Sequence, residues 1–282
     1  MRSPALALGA RLLGLIALVA TTGCPAYHVQ QSSLVPALSL PPPPSSRGVA
    51  DFYVADSTVT FLMPPELAPN ENAGLFIPRT QLEGAFAGRP SEWVSLRLLW
   101  LDALPQGALA AAPTRLPSPD MHAWGIGGGI VVGTPERHGP LSYHVAVDVL
   151  PVSVPSRVRV ACVQNCEGAP PPRETLQRDT VPLMSLMTTL GWAVSPTVRL
   201  TASAAVKNHP TNIESFRSLT PRGEVYSGPL NVIVGLGGEF RLGSWCSLVP
   251  QLQIPVTAEP VRYGMIFGLG VRATLERPAA PR

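Results

Sequence analysis

The chain has 282 residues, among them 33 Pro and 25 Gly, so about a fifth of its positions resist the interior of a helix and a helical bundle is excluded. Apolar residues make up 45% and charged residues 14%, with a mean hydropathy of +0.20, too oily for a disordered coil. The net charge of +3 is small and dispersed, with Lys207 the single lysine, and forms no nucleic-acid surface.

Arg2 and Arg11 flank and enter the apolar run Leu12 to Ala20, which is too short to span a bilayer and has the length of an export-signal core. It ends in Thr21-Thr22-Gly23-Cys24, which resembles the lipobox of bacterial lipoproteins. The resemblance implies that residues 1–23 are a cleaved signal peptide and that Cys24 becomes a diacylated, palmitate-bearing N-terminus. Thr21 departs from the family's usual aliphatic residue, and an ordinary cleaved signal is the alternative. Pro25, standing where inner-membrane lipoproteins of well-studied relatives carry Asp, implies the outer membrane. Residues 24–50 include Pro41-Pro42-Pro43-Pro44-Ser45-Ser46, which favours extended polyproline geometry and is expected to form a solvated tether.

Residues 51–276 alternate with period two, the pattern of strands with one oily face. Two short runs, Phe52 to Leu62 and Thr80 to Gly88, come first. Val94, Leu96, Leu98 and Trp100 then oppose Ser95 and Arg97, and Trp124, Ile126, Ile130 and Val132 oppose Gly125, Gly127 and Gly129. Leu141, Tyr143, Val145, Val147 and Val149 oppose Ser142, His144 and Asp148; Met184, Leu186, Leu190 and Trp192 oppose Ser185, Thr189 and Gly191. The parity is clearest in the later strands. Val198 to Val206 set apolar residues against Arg199 and Lys207, Leu230 to Leu242 against Glu239 and Arg241, Leu248 to Ile254 against Gln251 and Gln253, and Tyr263 to Leu275 against Arg272.

Period two alone fits a soluble β-sandwich as well as a membrane barrel. Polar faces rich in Gly, Ser and Gln, with isolated charges, favour crowded inward packing. Runs of ten to fourteen residues suit a tilted crossing, which needs ~9 to 11, better than a soluble strand of ~5 to 6. Connections alternate short (Arg89 to Glu92, Pro135 to Pro140, Val194 to Pro196, Gly243 to Ser244) and long (Met63 to Arg79, Leu104 to Pro119, Val152 to Thr180, Asn208 to Ser227). The expectation is an antiparallel up-and-down transmembrane β-barrel of about ten strands (8 to 12), both chain ends in the periplasm, the lipid anchor on that side, and a tail at 277–282. Trp93, Trp124, Trp192 and Trp245 fall at strand ends, where indole rings prefer the membrane interface.

The hairpin pattern from Gly74 to Leu101 and the closing strand Tyr263 to Leu275 resemble those of small Gram-negative outer-membrane barrels, which implies help from the outer-membrane assembly machinery. Those barrels commonly end in an aromatic residue, whereas this chain continues past Leu275.

Little of the sequence carries chemistry. Cys162 and Cys166 are expected to close a small disulfide in a long loop, and Cys246 to be small and buried or lipid-facing. The glycine runs at 125–129 and 235–238 sit inside strands, without the following helix that a phosphate cradle needs. No catalytic motif, metal set or cofactor fingerprint is expected, and the protein is read as a non-enzyme. The lumen-facing set is Glu83, Arg97, His144, Asp148, Arg199, Lys207, Glu239, Arg241, Gln251, Gln253 and Arg272. Either these groups neutralise one another as a plug of ion pairs, or the surplus of Arg leaves a narrow anion-favouring passage. The expected role is structural, or passage or binding of small, anionic solutes, with outer-membrane lipid as partner and no nucleic acid. The rival is a periplasmic lipid-anchored soluble β-sandwich that binds a ligand or partner.

Overall fold

The computed structural model describes residues 26–37, 39–45, 48–60, 73–76, 80–103, 122–134, 139–164, 166, 168, 170–212, 225–256 and 265–276. They form β1 (Ala26–Leu34), β2 (Gly48–Thr60), β3 (Ala73–Phe76), β4 (Thr80–Gly88), β5 (Val94–Ala103), β6 (Ala123–Gly133), β7 (Leu141–Gln164), β8 (Arg173–Ala193), β9 (Val198–Asn212), β10 (Val225–Arg241), β11 (Cys246–Pro255) and β12 (Met265–Glu276). From β4 to β12 each strand pairs antiparallel with its sequence neighbour, and β12 returns to β2, which pairs with β4. The result is a closed antiparallel β-barrel of ten strands, β2 and β4 to β12. Among the described residues one continuous ring has no second sheet to stack against, which excludes the β-sandwich.

Alternation sends oily side chains outward. Leu96, Leu98, Ile126, Ile130, Leu186 and Leu190 are each more than half exposed, while Arg97 and Asp148, on β5 and β7, are both 4% exposed. In water such a surface would be an aggregation hazard; in a bilayer it is the lipid face. On that face the Trp100 ring lies over Gly84, where a Cβ would meet it at 2.0 Å. Trp93, Trp192 and Trp245 are about half exposed or more at the short-link end, and Trp124 is half exposed at the long-link end, as an interfacial belt requires.

Three features differ from expectation. The stretch Val152 to Thr180 contains strand: β7 and β8 stay paired from Leu141↔Trp192 to Val160↔Arg173, and carry the hairpin about 33 Å past the ring over residues 154–164. Proline cannot donate to a ladder, yet Pro151 and Pro155 sit within it, and Val152, Val154 and Val158 keep the alternation and are buried. Second, β1 pairs with the outer part of β7, and β3 joins it in parallel. Ala26 therefore lies opposite Gln164, at the long-link end. The ring itself begins and ends at the short-link end as expected, with Glu276 opposite Gly48 and Ala50 opposite Gly88; what departs from expectation is that the chain ahead of it, at Ala26, lies at the other end. Third, the described residues between β1 and β2, 35–37 and 39–45, lie inside the barrel against its inward side chains.

Candidate functional site

The proline-rich segment, expected as a solvated tether, fills the lumen instead. Ser33, Leu34, Val35, Pro36 and Ala37 are buried, as are Ser39, Leu40, Pro43, Pro44 and Ser45, while Pro41 and Pro42 are half-buried. Polyproline-like backbone has no internal ladder, so inside a barrel its polar groups need partners from the wall. The inward faces of five strands and one turn supply them.

Gln81 of β4 accepts from Ala37 N–H at 2.9 Å, and its Nε2 donates to the Ala37 carbonyl (3.4 Å) and Ser39 Oγ (2.7 Å). Gln253 of β11 repeats this on Leu40, accepting its N–H and donating to its carbonyl, both at 2.8 Å. Lys207 Nζ donates to the Ser39 carbonyl, and Arg272 Nη2 to that of Pro43, both at 2.7 Å. At the exit Arg89 Nη2 donates to the Ser45 carbonyl and Ser45 N–H to Asp51 Oδ2, both at 2.5 Å. Leu34 and Val35 sit in an apolar cluster with Leu101, Val152, Val154 and Leu183, towards the long-link end.

Around the segment the wall charges hold one another. Arg97 binds Asp148 through Nε and Nη2, with Ser185 donating to Asp148 Oδ2 at 3.1 Å. Arg272 Nη1 binds Glu239 at 2.6 Å, and Arg199 donates to Ser142 Oγ and to His144 Nε2, the latter at 3.2 Å. Glu83 accepts from Gln81. Gln251 Oε1 accepts from Gln253 Nε2 at 2.7 Å. Of the eleven residues assigned to the lumen, Glu239, Arg241 and Gln251 are half-buried and the others buried. Arg241, Glu239, Arg199 and Ser45 line a cleft at the short-link mouth with Ser195 and Thr197.

Gln81 and Asp51 were missed. Gln81 shares the parity of Glu83, and Asp51 stands one residue ahead of the run taken to start at Phe52, so alternation contained both signals. Their partners lay in a segment read as outside the barrel. Cys162 and Cys166 form a disulfide with Cα atoms 5.6 Å apart, close to the hairpin tip, and Cys246 is a half-buried free thiol. Cys24 and the residues assigned to the signal peptide and the tail at 277–282 lie outside the described residues. At the long-link rim Asp102 binds His122 Nε2, and Arg178 donates to the His122 carbonyl at 2.9 Å. An imidazole oriented by a carboxylate is one component of general-base chemistry, and the same contact ties the ends of β5 and β6 together.

No family model and no curated protein matches the chain. Solved structures do. The translocator domain of the autotransporter NalP from Neisseria meningitidis is 11% identical, with 97% of this chain and 98% of that chain covered, at a TM-score of 0.33. The NanC porin is 7% identical over 80% and 100% of the two chains, with a TM-score of 0.35. The outer-membrane protease OmpT from Escherichia coli is 7% identical over 88% and 96%, with a TM-score of 0.39. These neighbours are outer-membrane β-barrels, and what this chain shares with them is the closed antiparallel barrel. At these scores the likenesses carry no argument about activity. The expectation of a non-enzyme is withdrawn: the matched structures include a protease, and a barrel of this kind does not by itself separate enzymes from non-enzymes.

Proposed function

We propose that this outer-membrane barrel is held closed by its own N-terminal segment, and that small solutes pass only when residues 33–45 leave the lumen. The observation that carries the proposal is the two-point contact of Gln253 with Leu40, which fixes the segment to the barrel wall. Removing the segment would uncover more positive than negative charge. Arg89, Lys207 and Arg272 donate to it, and among the described contacts Asp51 is the carboxylate that accepts from it. Arg97 stays paired with Asp148 and Arg272 with Glu239, so among the groups that held the segment the surplus is Arg89 and Lys207 against Asp51. The emptied path therefore favours small anions.

The lipid anchor at Cys24 belongs to the same proposal and rests on the Thr21 to Cys24 lipobox alone. Two residues of chain reach at most about 7 Å. Ala26 lies opposite Gln164, about 33 Å beyond the ring, so that reach does not return Cys24 to the bilayer, and an acylated Cys24 requires β1 to leave the hairpin.

Planar-bilayer recording tests the closure. The intact protein should be silent, and a variant lacking residues 33–45 should show discrete, anion-selective openings. Steady conductance by the intact protein, or silence from a deletion variant that retains its β-sheet circular dichroism, would refute the proposal.

A further inference from the structure

Of the five segment carbonyls that the wall takes, those of Ala37, Leu40 and Pro43 stand three residues apart, held by Gln81, Gln253 and Arg272, while those of Ser39 and Ser45, held by Lys207 and Arg89, fall outside that spacing. Three is the repeat of the polyproline II helix, which leaves its backbone groups free for outside partners. Gln81 and Gln253 each read both the N–H and the carbonyl of one residue. Such a contact recognises extended backbone whatever side chain it carries. Gln253 is itself aimed by Gln251, whose Nε2 lies 3.4 Å from Tyr53 Oη, so the reader is positioned by its own strand.

Donors and acceptors are also sorted along the path. Segment residues that possess an N–H and bond to the wall meet an acceptor: Ala37 meets Gln81, Leu40 meets Gln253, and Ser45 meets Asp51. Along Pro41 to Pro44, which have no N–H, the described wall contact is a donor, Arg272, with Lys207 just before it and Arg89 just after. A residue with an N–H in that stretch would bring a donor up to a wall whose described contact there is itself a donor, and would leave it without a partner.

We infer that the lumen is a receptor site for uncharged, proline-rich extended peptide, with residues 33–45 as its resident occupant, and that a free peptide of this class competes for the site. The inference rests on the closure described above and adds the ligand class.

A specific protease site placed at 46–47 allows the full chain to fold before it is cut between the segment and β2, after which the released N-terminal fragment, still held through β1 on β7, is stripped in mild denaturant and its loss confirmed by mass. A dye-labelled peptide of residues 33–45 is then titrated in detergent and followed by anisotropy. The cut protein should take up the peptide and the uncut protein should not. A peptide with Ala at the positions of Pro41 to Pro44 should bind at least tenfold more weakly, as should the native peptide to a cut Gln81→Ala/Gln253→Ala protein. No uptake by the cut protein, or uptake indifferent to the proline replacement, overturns the inference; the peptide arm requires no altered barrel wall. Conductance of the uncut protein reports separately on closure. A silent uncut protein whose cut form opens but rebinds no peptide would leave the closure standing and remove the receptor.

Discussion

Arg97 and Asp148 are joined across an intervening strand. Arg97 on β5 stands opposite Gly129 on β6, and Gly129 stands opposite Asp148 on β7, so the two side chains meet over a residue that has none. A Cβ at position 129 would lie 1.9 Å from Asp148 Oδ1 and 2.6 Å from the Val147 carbonyl. The backbone contact cannot relax by a rotamer change. Gly129→Ala is therefore expected to destabilise the barrel by about 1 to 3 kcal/mol, measured as a shift of the urea unfolding midpoint in lipid vesicles by tryptophan fluorescence. An unchanged midpoint would mean that the ion pair does not occupy the space above β6.

Breaking that pair from one side should cost more than removing both charges. Asp148→Ala leaves the Arg97 guanidinium buried without its carboxylate, a loss of about 3 to 5 kcal/mol. The double variant Arg97→Met/Asp148→Leu restores apolar volume and should recover most of it. A double-variant cycle on unfolding free energies checks this, and additive losses would contradict it.

The outer face should reject charge. Leu236 is 64% exposed midway along the ring portion of β10, between Ala202 of β9 and Leu252 of β11. Leu236→Arg is expected to cost about 2 to 4 kcal/mol in a bilayer, the penalty for a cation near the midplane of a barrel wall. Near-zero cost would place this face in water.

Reduction of the disulfide should act locally. Cys162 and Cys166 close a short loop near the hairpin tip, beyond the ring, worth about 2 kcal/mol in the chain-entropy account. Cys162→Ser/Cys166→Ser should leave the barrel's unfolding midpoint in place while speeding tryptic cleavage after Arg157, Arg159 and Arg173, as followed by mass spectrometry. A global loss of stability would show that the hairpin braces the ring.

The ring was legible in the sequence because a membrane-spanning strand with one face to lipid and one to a crowded interior must alternate, and residues 80–88 through 265–276 do so with few exceptions. The hairpin extension was obscured by proline, which is rare in ladders but is tolerated here at Pro151 opposite Pro182 and at Pro155 opposite Arg178. The lumen's inward charges were legible by parity, but their use was not. Gln81 and Gln253 read as ordinary polar residues until their partners were known, and those partners lie 44 and 213 residues away, in a stretch whose composition is that of a linker. Four consecutive prolines specify extended backbone without a ladder. They do not specify whether water or a barrel wall satisfies its carbonyls.

The occupied lumen is tested most directly by replacing Leu40 with photo-leucine in the full-length protein, irradiating it in membranes, and mapping the cross-link by mass spectrometry. The structure predicts an intramolecular link to the tryptic fragment from Leu242 to Arg262, which contains Gln253. Links to other proteins or to lipid, with none to the barrel interior, would contradict it.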